Sequence, residues 1–530
     1  MKDLRSKIRV PEWFTAGAVF VYYWIMSLYK LTQEPIWGDE CMEFYCSVTT
    51  RGPIRGVTEL STMYERMAHI QQQPPLYNWI MCLWLKISEE PFWYRFSSVL
   101  MGFGAVLGAY FVVKKLYGRA AATLSVLVLS SMYHIQYYVK EASEYILLLG
   151  FLFWTFYVYL LLLEKVTRKR IIAFVILCVA NMYTHYGAIM IIVPMACQML
   201  FFLWRSKEWK ALKEAIISFG IAVVGAGIPL IFLFFVPQSN NTGSTFHTDN
   251  PIDFVGNNML VDFFDSIMRI LRWSMLDPDR DGTRLATVLW LLVFGLIISG
   301  IVVCIFTKKK AVRYIISCSA FTYVIYYFLT SYNFYAYGIF GNRYNYFLIP
   351  ALFLTFICII GEVVEFFASN KKAWLRSVLP ILQVLILVVA LAYTAYGTYR
   401  VHCHWDKRDE RGVAAAWYER EEQELPTYVC YWSKFAFVYY MTHDERYDES
   451  LWDNMYCDLI NRDTYWFTQT EWMDYLENEA YPEGIPEKFY LVAGDYNDEV
   501  VALQNIGYEM EPIYDGTAKL FLATAPSVQE

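Results

Sequence analysis

The sequence has few charged residues for its length. Asp, Glu, Lys and Arg make up 18% of its 530 residues, whereas about a quarter is usual for a soluble protein. Hydrophobic residues reach 57%, and the mean hydropathy is +0.30. A net charge of −7 argues against nucleic acid as a partner, because nucleic-acid binding needs a basic surface. These values predict an integral membrane protein.

Several common catalytic patterns are absent as well. The sequence contains no Walker loop, no GxSxG, no HExxH and no GxGxxG in a nucleotide-binding context. Chemistry would have to proceed without a nucleotide phosphate cradle, which favours a lipid-borne donor. The 11 cysteines include no CxxC pair. Cys41 and Cys46 share one loop and could form a disulfide if that side is oxidising, an alternative that stays open.

Long apolar runs are plentiful, and about eleven could span a membrane by the criterion of roughly 20 residues. The first follows a basic N-terminus with Lys2 and Arg9, which predicts a retained signal anchor with a cytosolic N-terminus. The predicted spans are Trp13–Leu31, Phe92–Val113, Ala120–Tyr138, Tyr145–Leu163, Ile171–Thr184, Ala188–Trp204, Ala215–Val236, Leu285–Phe306, Tyr314–Thr330, Tyr344–Phe366 and Val378–Tyr396.

Basic residues predict how these spans are oriented. Five junctions are rich in Lys and Arg, and all fall on the cytosolic side if the spans alternate. They are Lys114–Arg119, Lys165–Arg170, Arg205–Lys213, Lys308–Arg313 and Lys371–Arg376. Counting the run from Gln73 to Ile87 as a span would invert the pattern, so we expect a juxtamembrane helix there. The loops 32–91 and 237–284 then lie on the outer face.

The composition becomes that of a soluble domain after residue 400. We therefore expect a membrane module at 1–400 and an extracytoplasmic domain at 401–530. Period-2 and period-3.6 patterns predict strands, helices and a closing hairpin in this domain, which makes it a small α/β domain. The strands are Tyr428–Trp432 and Lys488–Ala493, the helices Glu410–Glu424 and Glu471–Ala480, and the hairpin Tyr508–Thr524. The predicted fold class is a polytopic α-helical membrane protein with this domain at its C-terminus.

An acidic pair follows the first span, in the stretch Trp37-Gly38-Asp39-Glu40. Carboxylates at a bilayer edge are costly to bury, so their position suggests chemistry. Asp39 could act as a general base towards an acceptor hydroxyl or amine. Alternatively, it could cap a helix over Glu40–Val48, since Asp is a preferred N-cap residue.

Further polar residues lie on the same predicted face. Lys140, Glu141 and Glu144 form a polar island between two spans, and they could hold a substrate or simply connect the helices. Arg343 and Arg95 lie at outer ends of spans, where a guanidinium suits a phosphate but also commonly snorkels to lipid headgroups. Of the His residues, we expect His185 alone to lie where spans converge on this face.

Taken together, these motifs resemble the GT-C superfamily of polyprenyl-phosphate-dependent glycosyltransferases. The similarity is greatest to the bacterial family 39 branch, which is related to the protein O-mannosyltransferases and the lipid A aminoarabinose transferase. It extends in order over nearly the whole chain. The matching segments are Trp37–Glu40, Gln73–Tyr77, Arg95–Ser98, Glu141–Tyr145, Thr184–Tyr186, Arg343-Tyr344 with Pro350, and Asp409–Ala414.

The resemblance implies the GT-C fold and transfer of a sugar from a polyprenyl-phosphate carrier to a glycan, lipid or protein acceptor. This would take place at the outer face of the plasma membrane. With one carboxylate base, direct displacement would invert the anomeric centre. By analogy, Asp39 is the base, and Glu40 supports the fold or the acceptor. The residues expected to bind the donor phosphate are Arg343, Tyr344, Lys140 and Arg95. Glu141 or Glu144 would occupy the second acidic position, and His185 and Gln73 would lie on the acceptor side.

Gln73 stands where the family usually has His, which leaves a divalent metal requirement open. Two other classes of function also remain. A lipid-linked-sugar flippase would also be polytopic, but it should show charged residues in mid-span and repeat symmetry. A non-catalytic membrane scaffold of cell-envelope assembly would not need Asp39 at all.

Overall fold

The computed structural model describes most of the chain, and all structural statements below refer to that part. The described residues are 12–48, 63–69, 73–241, 263–270, 283–331, 343–403, 407–457, 472–473, 476–494 and 498–526. The described residues as far as 403 are mainly helical, and the sheet lies entirely beyond them.

The helices of the membrane module are numbered here in chain order. They are α1 (Glu12–Leu28), α2 (Gly38–Ser47), α3 (Met63–His69), α4 (Leu76–Trp84), α5 (Pro91–Ser131), α6 (Tyr133–Val139), α7 (Glu144–Glu164), α8 (Arg168–Thr184), α9 (Ile189–Arg205), α10 (Trp209–Ala222), α11 (Thr283–Phe306), α12 (Lys310–Ser331), α13 (Ile349–Ser369) and α14 (Ala373–Cys403). Without a break, α10 continues through Val223–Gly227, Ile228–Leu230, Ile231–Phe235 and Val236–Asn241. Short 3-10 segments at Tyr186–Ala188 and Arg343–Leu348 precede α9 and α13.

Seven of the described helices are long and apolar enough to cross a membrane, so the chain is a multi-pass membrane protein. Two shorter apolar helices, Phe14–Leu28 and Phe294–Phe306, coincide with further predicted spans. The 41-residue helix α5 covers parts of two predicted spans. These meet at a kink at Gly118, whose φ of +85° suits glycine. The count of about eleven spans stays a prediction.

The charged residues gather at two opposite ends of the helices. Arg95 and Lys115 are about 20 residues apart on α5, which corresponds to roughly 30 Å along a helix. At the Lys115 end, this lysine pairs with Glu164 at 2.7 Å, and Lys309 donates to the carbonyl oxygen of Leu116 at 3.3 Å. Three of the basic junctions therefore meet at one end, as the topology predicts, although which side faces the cytosol stays a prediction.

The loop between α1 and α5 folds back over the other end. Helix α4 has nine residues, too few to span a bilayer, as expected for the run that follows Gln73. Its buried side chains Tyr77, Asn78 and Met81 face α2 and the neighbouring helices. This loop therefore forms a packed layer above the ends of the spans.

The C-terminal region forms a five-stranded sheet flanked by helices. Its order is β2-β1-β3-β5-β4, with β1 parallel to β2 and β3, and β5 antiparallel to β3 and β4. The strands are β1 (Thr427–Val429), β2 (Met455–Cys457), β3 (Lys488–Ala493), β4 (Glu509–Asp515) and β5 (Lys519–Thr524), and the helices α15 (Glu410–Tyr418), α16 (Tyr431–Thr442) and α17 (Asp498–Asn505). Short 3-10 and π-helical segments lie at Glu449–Trp452 and Leu476–Ala480.

This sheet confirms part of the sequence prediction. The strand Lys488–Ala493 and the hairpin over Tyr508–Thr524 are present. The predicted strand Tyr428–Trp432 is wrong at its C-terminal end, because α16 begins at Tyr431. The helix predicted over Glu410–Glu424 ends at Tyr418, and β2 is a three-residue strand that was not predicted.

The sheet region packs directly on the loop layer. The ring of Phe44 on α2 meets that of Tyr439 on α16 edge-on, with centroids 5.2 Å apart. The hydroxyl of Tyr440 also accepts a hydrogen bond from the amide of Ile36. Membrane module and C-terminal domain therefore share one apolar core at α2.

We expect Gly397→Ala to destabilise the protein, because it lies at the crossing of α14 and α5. A Cβ atom at Gly397 would lie 1.9 Å from the carbonyl oxygen of Ser131, so the backbones would have to separate. Overpacking of this kind costs about 1–3 kcal/mol and should lower the melting temperature. Gly104→Ala on α5 is the control, since nothing lies within 4 Å of its Cβ position. Equal melting temperatures for the two variants would contradict the crossing.

Candidate active site

Helix α2 presents the acidic pair at its first turn. The N-cap is Trp37, which is extended with φ −111° and ψ 175°, so the alternative that Asp39 caps the helix is wrong. Asp39 and Glu40 both lie in the first turn, where the helix dipole favours negative charge. Their environments differ, because Asp39 is partly exposed whereas Glu40 is fully buried.

The carboxylate of Glu40 receives four hydrogen bonds. Arg95 donates Nε–H to Oε1 at 2.8 Å and a second N–H to Oε2 at 2.6 Å. The amide of Ala142 donates to Oε1 at 2.9 Å, and Lys407 Nζ donates to Oε2 at 2.9 Å. A carboxylate has about four acceptor positions, so Glu40 is saturated. This geometry gives Glu40 the supporting role and leaves it unsuited to remove a proton.

Arg95 also holds the loop that precedes α2. Its remaining N–H groups donate to the backbone carbonyls of Leu31, Glu34 and Pro35, at 2.7 to 3.0 Å. A guanidinium has five N–H donors, and all five are occupied here. Arg95 therefore has none left for a phosphate, and the structure favours a role in the fold over the predicted role in donor binding.

Lys407 and Glu141 complete the same cluster. Lys407 Nζ lies 3.3 Å from Glu141 Oε2, and the indole N–H of Trp37 donates to that oxygen at 3.0 Å. Neither contact uses Glu141 Oε1. Glu40, Arg95, Glu141 and Lys407 are each at most 5% exposed, and their two negative and two positive charges balance.

The two carboxyl groups of the cluster titrate differently. Burial raises the pKa of Glu40, but Arg95 and Lys407 outweigh this effect and lower it to about 2. Its stabilising effect is therefore complete above about pH 4.3, the ordinary pKa of Glu, and is lost only as the pH falls towards 2. Burial also raises the pKa of Glu141, and Lys407 offsets only part of that. Glu141 is thus the easier of the two to protonate.

Glu144 belongs to a neighbouring buried cluster instead. It begins α7 and lies near Glu43 of α2. Glu43 in turn accepts from Asn78 Nδ2 at 2.7 Å, and the same nitrogen lies 3.2 Å from Ser47 Oγ. Of the two candidates for the second acidic position, Glu141 is the one connected to Glu40.

Three further candidates lie around these clusters. Lys140 donates to the carbonyl oxygen of Tyr29 at 2.8 Å, and burial lowers its pKa to about 8. His185 accepts the amide of Gly187 through Nδ1 at 3.0 Å, and burial lowers its pKa to about 3, so it is neutral. Gln73 is buried, and its Oε1 has no hydrogen-bond partner in the described structure. Their roles in acceptor or donor binding stay predictions.

The side chains of Arg343 and Tyr344 lie outside the described part of the structure. Their backbone begins the 3-10 turn that leads into α13. Two residues later, the ring of Tyr346 packs edge-on against that of Tyr138 at 4.8 Å and faces Tyr145 at 5.8 Å. This turn therefore sits beside the polar island, which is compatible with a shared site.

A metal site does not emerge from the described residues. No three His, Cys, Asp or Glu side chains in this part of the chain come together in a way that could hold an ion. Glu40 has its acceptor positions filled, and Gln73 supplies an amide where the family usually has His. Cys41 and Cys46 are both free, five residues apart on α2, so the possible disulfide between them is not formed.

Sequence reasoning missed the residues that connect these segments. Lys407 is separated from Glu40 by 367 residues and lies in a run of charged residues that looks like ordinary surface. Glu43 and Asn78 are on short helices in a loop, and nothing local marks them as partners. Trp37 belongs to the motif around the acidic pair, but nothing in that motif predicts its contact with Glu141.

This chain is similar to one protein family over part of its length and to several solved structures over most of it. A family model described as dolichyl-phosphate-mannose-protein mannosyltransferase matches residues 72–235. No curated protein matches the sequence. Among solved structures, ArnT from Cupriavidus metallidurans bound to undecaprenyl phosphate is 12% identical, with a TM-score of 0.51 over 97% of this chain and 98% of that one. Its apo form, also 12% identical, gives 0.55 over 96% and 99%.

The third similar structure is the oligosaccharyltransferase of Archaeoglobus fulgidus, tethered to an acceptor peptide. It is 11% identical, with a TM-score of 0.51 over 96% of this chain and 74% of that one. The chain has the GT-C fold. This confirms the predicted fold class, and the family match over residues 72–235 supports the glycosyltransferase that the sequence predicts. In this protein of GT-C fold, Glu40 lies within a single buried ion cluster, whereas its neighbour Asp39 is partly exposed.

We expect Glu40→Gln to destabilise this GT-C protein strongly. The amide keeps the shape but removes the charge that compensates Arg95 and Lys407, and breaking a buried pair costs about 3–5 kcal/mol. Thermal unfolding of the purified protein, followed by intrinsic fluorescence, measures the effect. Asp39→Asn, one residue away and partly exposed, is the matched control and should unfold close to the wild type. A Glu40→Gln variant as stable as that control would rule out the structural role of Glu40.

Proposed function

We propose that this protein is an inverting glycosyltransferase. It moves a sugar from a polyprenyl-phosphate carrier to an acceptor at the outer face of the membrane, with Asp39 as the general base. The observation that carries this proposal is the difference between two neighbouring acids. Glu40 is buried and has its acceptor positions filled, while Asp39, on the same helical turn, is partly exposed.

The base step follows from this arrangement. An acceptor hydroxyl or amine gives its proton to the Asp39 carboxylate while its oxygen or nitrogen attacks the anomeric carbon of the sugar. The clamp on Glu40 fixes the first turn of α2, and with it the backbone of Asp39. Holding a base in a fixed orientation supplies part of the rate enhancement. Glu141, with Oε1 outside the ion cluster, is the second acidic residue of the site.

The leaving group needs no acid. As the new bond forms, the bond from the anomeric carbon to the phosphate oxygen breaks, and polyprenyl phosphate departs with the electron pair. Cationic side chains stabilise this charge, and Arg343 and Lys140 are the residues we assign to it. One base and one direct displacement invert the anomeric centre, since retention would require a second, nucleophilic carboxylate.

The comparisons support the substrate class in two ways. The ArnT structure of similar fold was determined with undecaprenyl phosphate, and the oligosaccharyltransferase was tethered to an acceptor peptide. A lipid-linked donor and a separate acceptor are therefore reasonable substrates here. The outer location rests on the basic junctions, which meet at the end of α5 opposite Arg95 and should face the cytosol.

The buried charges also weigh against a flippase. Glu40, Arg95, Lys140, Glu141 and Lys407 all lie in loops or at a helix end, whereas a transporter would need charged residues in mid-span. A scaffold would have no use for the partly exposed Asp39 beside this cluster. Both alternatives predict that purified protein releases no lipid phosphate from any donor.

We expect Asp39→Asn to fold normally and to lose transfer. Removing a general base typically lowers the rate by about 10²–10⁴-fold. The assay incubates purified full-length protein with a panel of polyprenyl-phosphate sugars and measures release of the polyprenyl phosphate. Glu90→Gln, an exposed acid just before α5, is the matched control and should leave turnover unchanged. Near-normal turnover by Asp39→Asn would refute the assignment of the base.

A further inference from the structure

We infer that Lys407 is a positioning residue through which the C-terminal domain holds the acidic residues of the site in register. The inference rests on the proposed function and concerns a residue outside the motifs that carry the family resemblance. It starts from one juxtaposition: Lys407, just before α15, lies buried between Glu40 of α2 and Glu141 of the polar island.

The Lys407 side chain is buried among residues that the structure describes. Its exposed fraction is 1%, and its Nζ contacts one oxygen of each carboxylate, at 2.9 Å for Glu40 and 3.3 Å for Glu141. The rings of Trp37 and Tyr137 lie 5.8 and 5.3 Å from the same nitrogen, within cation–π range. A buried ammonium is stable only with such partners. It therefore joins the two acidic segments and cannot itself meet a substrate.

The backbone of Lys407 is fixed by the C-terminal sheet. Thr517, in the turn between β4 and β5, donates its hydroxyl to the Lys407 carbonyl at 3.2 Å and accepts the Asp409 amide at 2.9 Å. Tyr514 of β4 donates to Asp409 Oδ2 at 2.6 Å, and Asp409 caps α15. The β4–β5 hairpin therefore fixes the backbone at Lys407 and Asp409, and from this backbone the Lys407 side chain reaches Glu40 and Glu141.

This chain of contacts makes the domain part of the site. If the hairpin moved relative to α2, Lys407 would be withdrawn and the charges of Glu40 and Glu141 would be less well compensated. The loop that bears Asp39 would then lose one of its fixed points, although Arg95 would remain. A misplacement of about 1 Å at a catalytic group can cost about 10²-fold in rate. Donor binding, assigned to Arg343 and Lys140, should change much less.

The test compares Lys407→Met with Lys407→Arg and Arg420→Met in the full-length protein. Arg420 is a matched control, because it is a buried cation inside the C-terminal domain that donates to Trp417 and Gln423 carbonyls, away from the acids. Melting temperatures, kcat and the donor KM are measured for each variant. Lys407→Arg keeps a cation that can reach both carboxylates, so it tests rescue.

We expect Lys407→Met to lower kcat at least about tenfold while the donor KM changes less than about twofold. Lys407→Arg should recover at least about a third of the wild-type kcat, and this variant decides the question if Lys407→Met does not fold. A kcat for Lys407→Met within twofold of the wild type would overturn the inference. The inference would also be overturned if Arg420→Met and Lys407→Met had the same melting temperature and lost kcat equally. The loss of kcat would then reflect only a general loss of stability.

Hydrogen–deuterium exchange separates this inference from the proposed function. Amides of α2 should exchange at least about tenfold faster in Lys407→Met than in the wild type. Their exchange rate in Arg420→Met should equal that of the wild type. If the wild type transfers no sugar but α2 behaves in this way, the proposed function fails and the positioning role stands. If transfer is seen and α2 exchange is the same in all variants, the positioning role fails.

Discussion

The bidentate pairing of Glu40 with Arg95 is the interaction on which the site depends. A buried carboxylate is tolerable only when every acceptor position has a donor and its charge is compensated. Here Arg95 meets that need and also fastens three backbone carbonyls of the preceding loop. The remaining positions on Glu40 are filled by Ala142 and Lys407. One carboxylate thus ties together the first loop, the start of α5, the polar island and the C-terminal domain.

This arrangement divides two adjacent acids into different roles. Glu40 points inward, is ionised down to about pH 2, and supports the fold. Asp39, one residue earlier on the first turn of α2, remains partly exposed and is held in place by its neighbour. Because four hydrogen bonds hold Glu40, the helical turn that carries Asp39 is fixed, and a general base at Asp39 would be held in one orientation. Glu141 Oε2 belongs to the same cluster as Glu40 through Lys407, whereas Glu141 Oε1 takes part in neither of the contacts of Oε2.

Sequence reasoning predicted what depends on local pattern and failed where distant residues meet. The apolar runs, the strand Lys488–Ala493 and the closing hairpin follow from periodicity, which is a property of neighbouring residues. The role of Arg95 could not be predicted this way, because a guanidinium at a helix end fits both a phosphate and a buried carboxylate. Lys407 gave no signal, since its partner lies 367 residues away. The strand β2 is three residues long, too short for a pattern.

An experimental structure of the full-length protein with a bound polyprenyl-phosphate sugar analogue would test the central claim most directly. The account predicts that Glu40 keeps its four donors from Arg95, Ala142 and Lys407, and that the Asp39 carboxylate lies beside the anomeric carbon, within reach of an incoming acceptor. A structure in which Glu40 turns towards the sugar, or in which Asp39 lies far from it, would contradict the account.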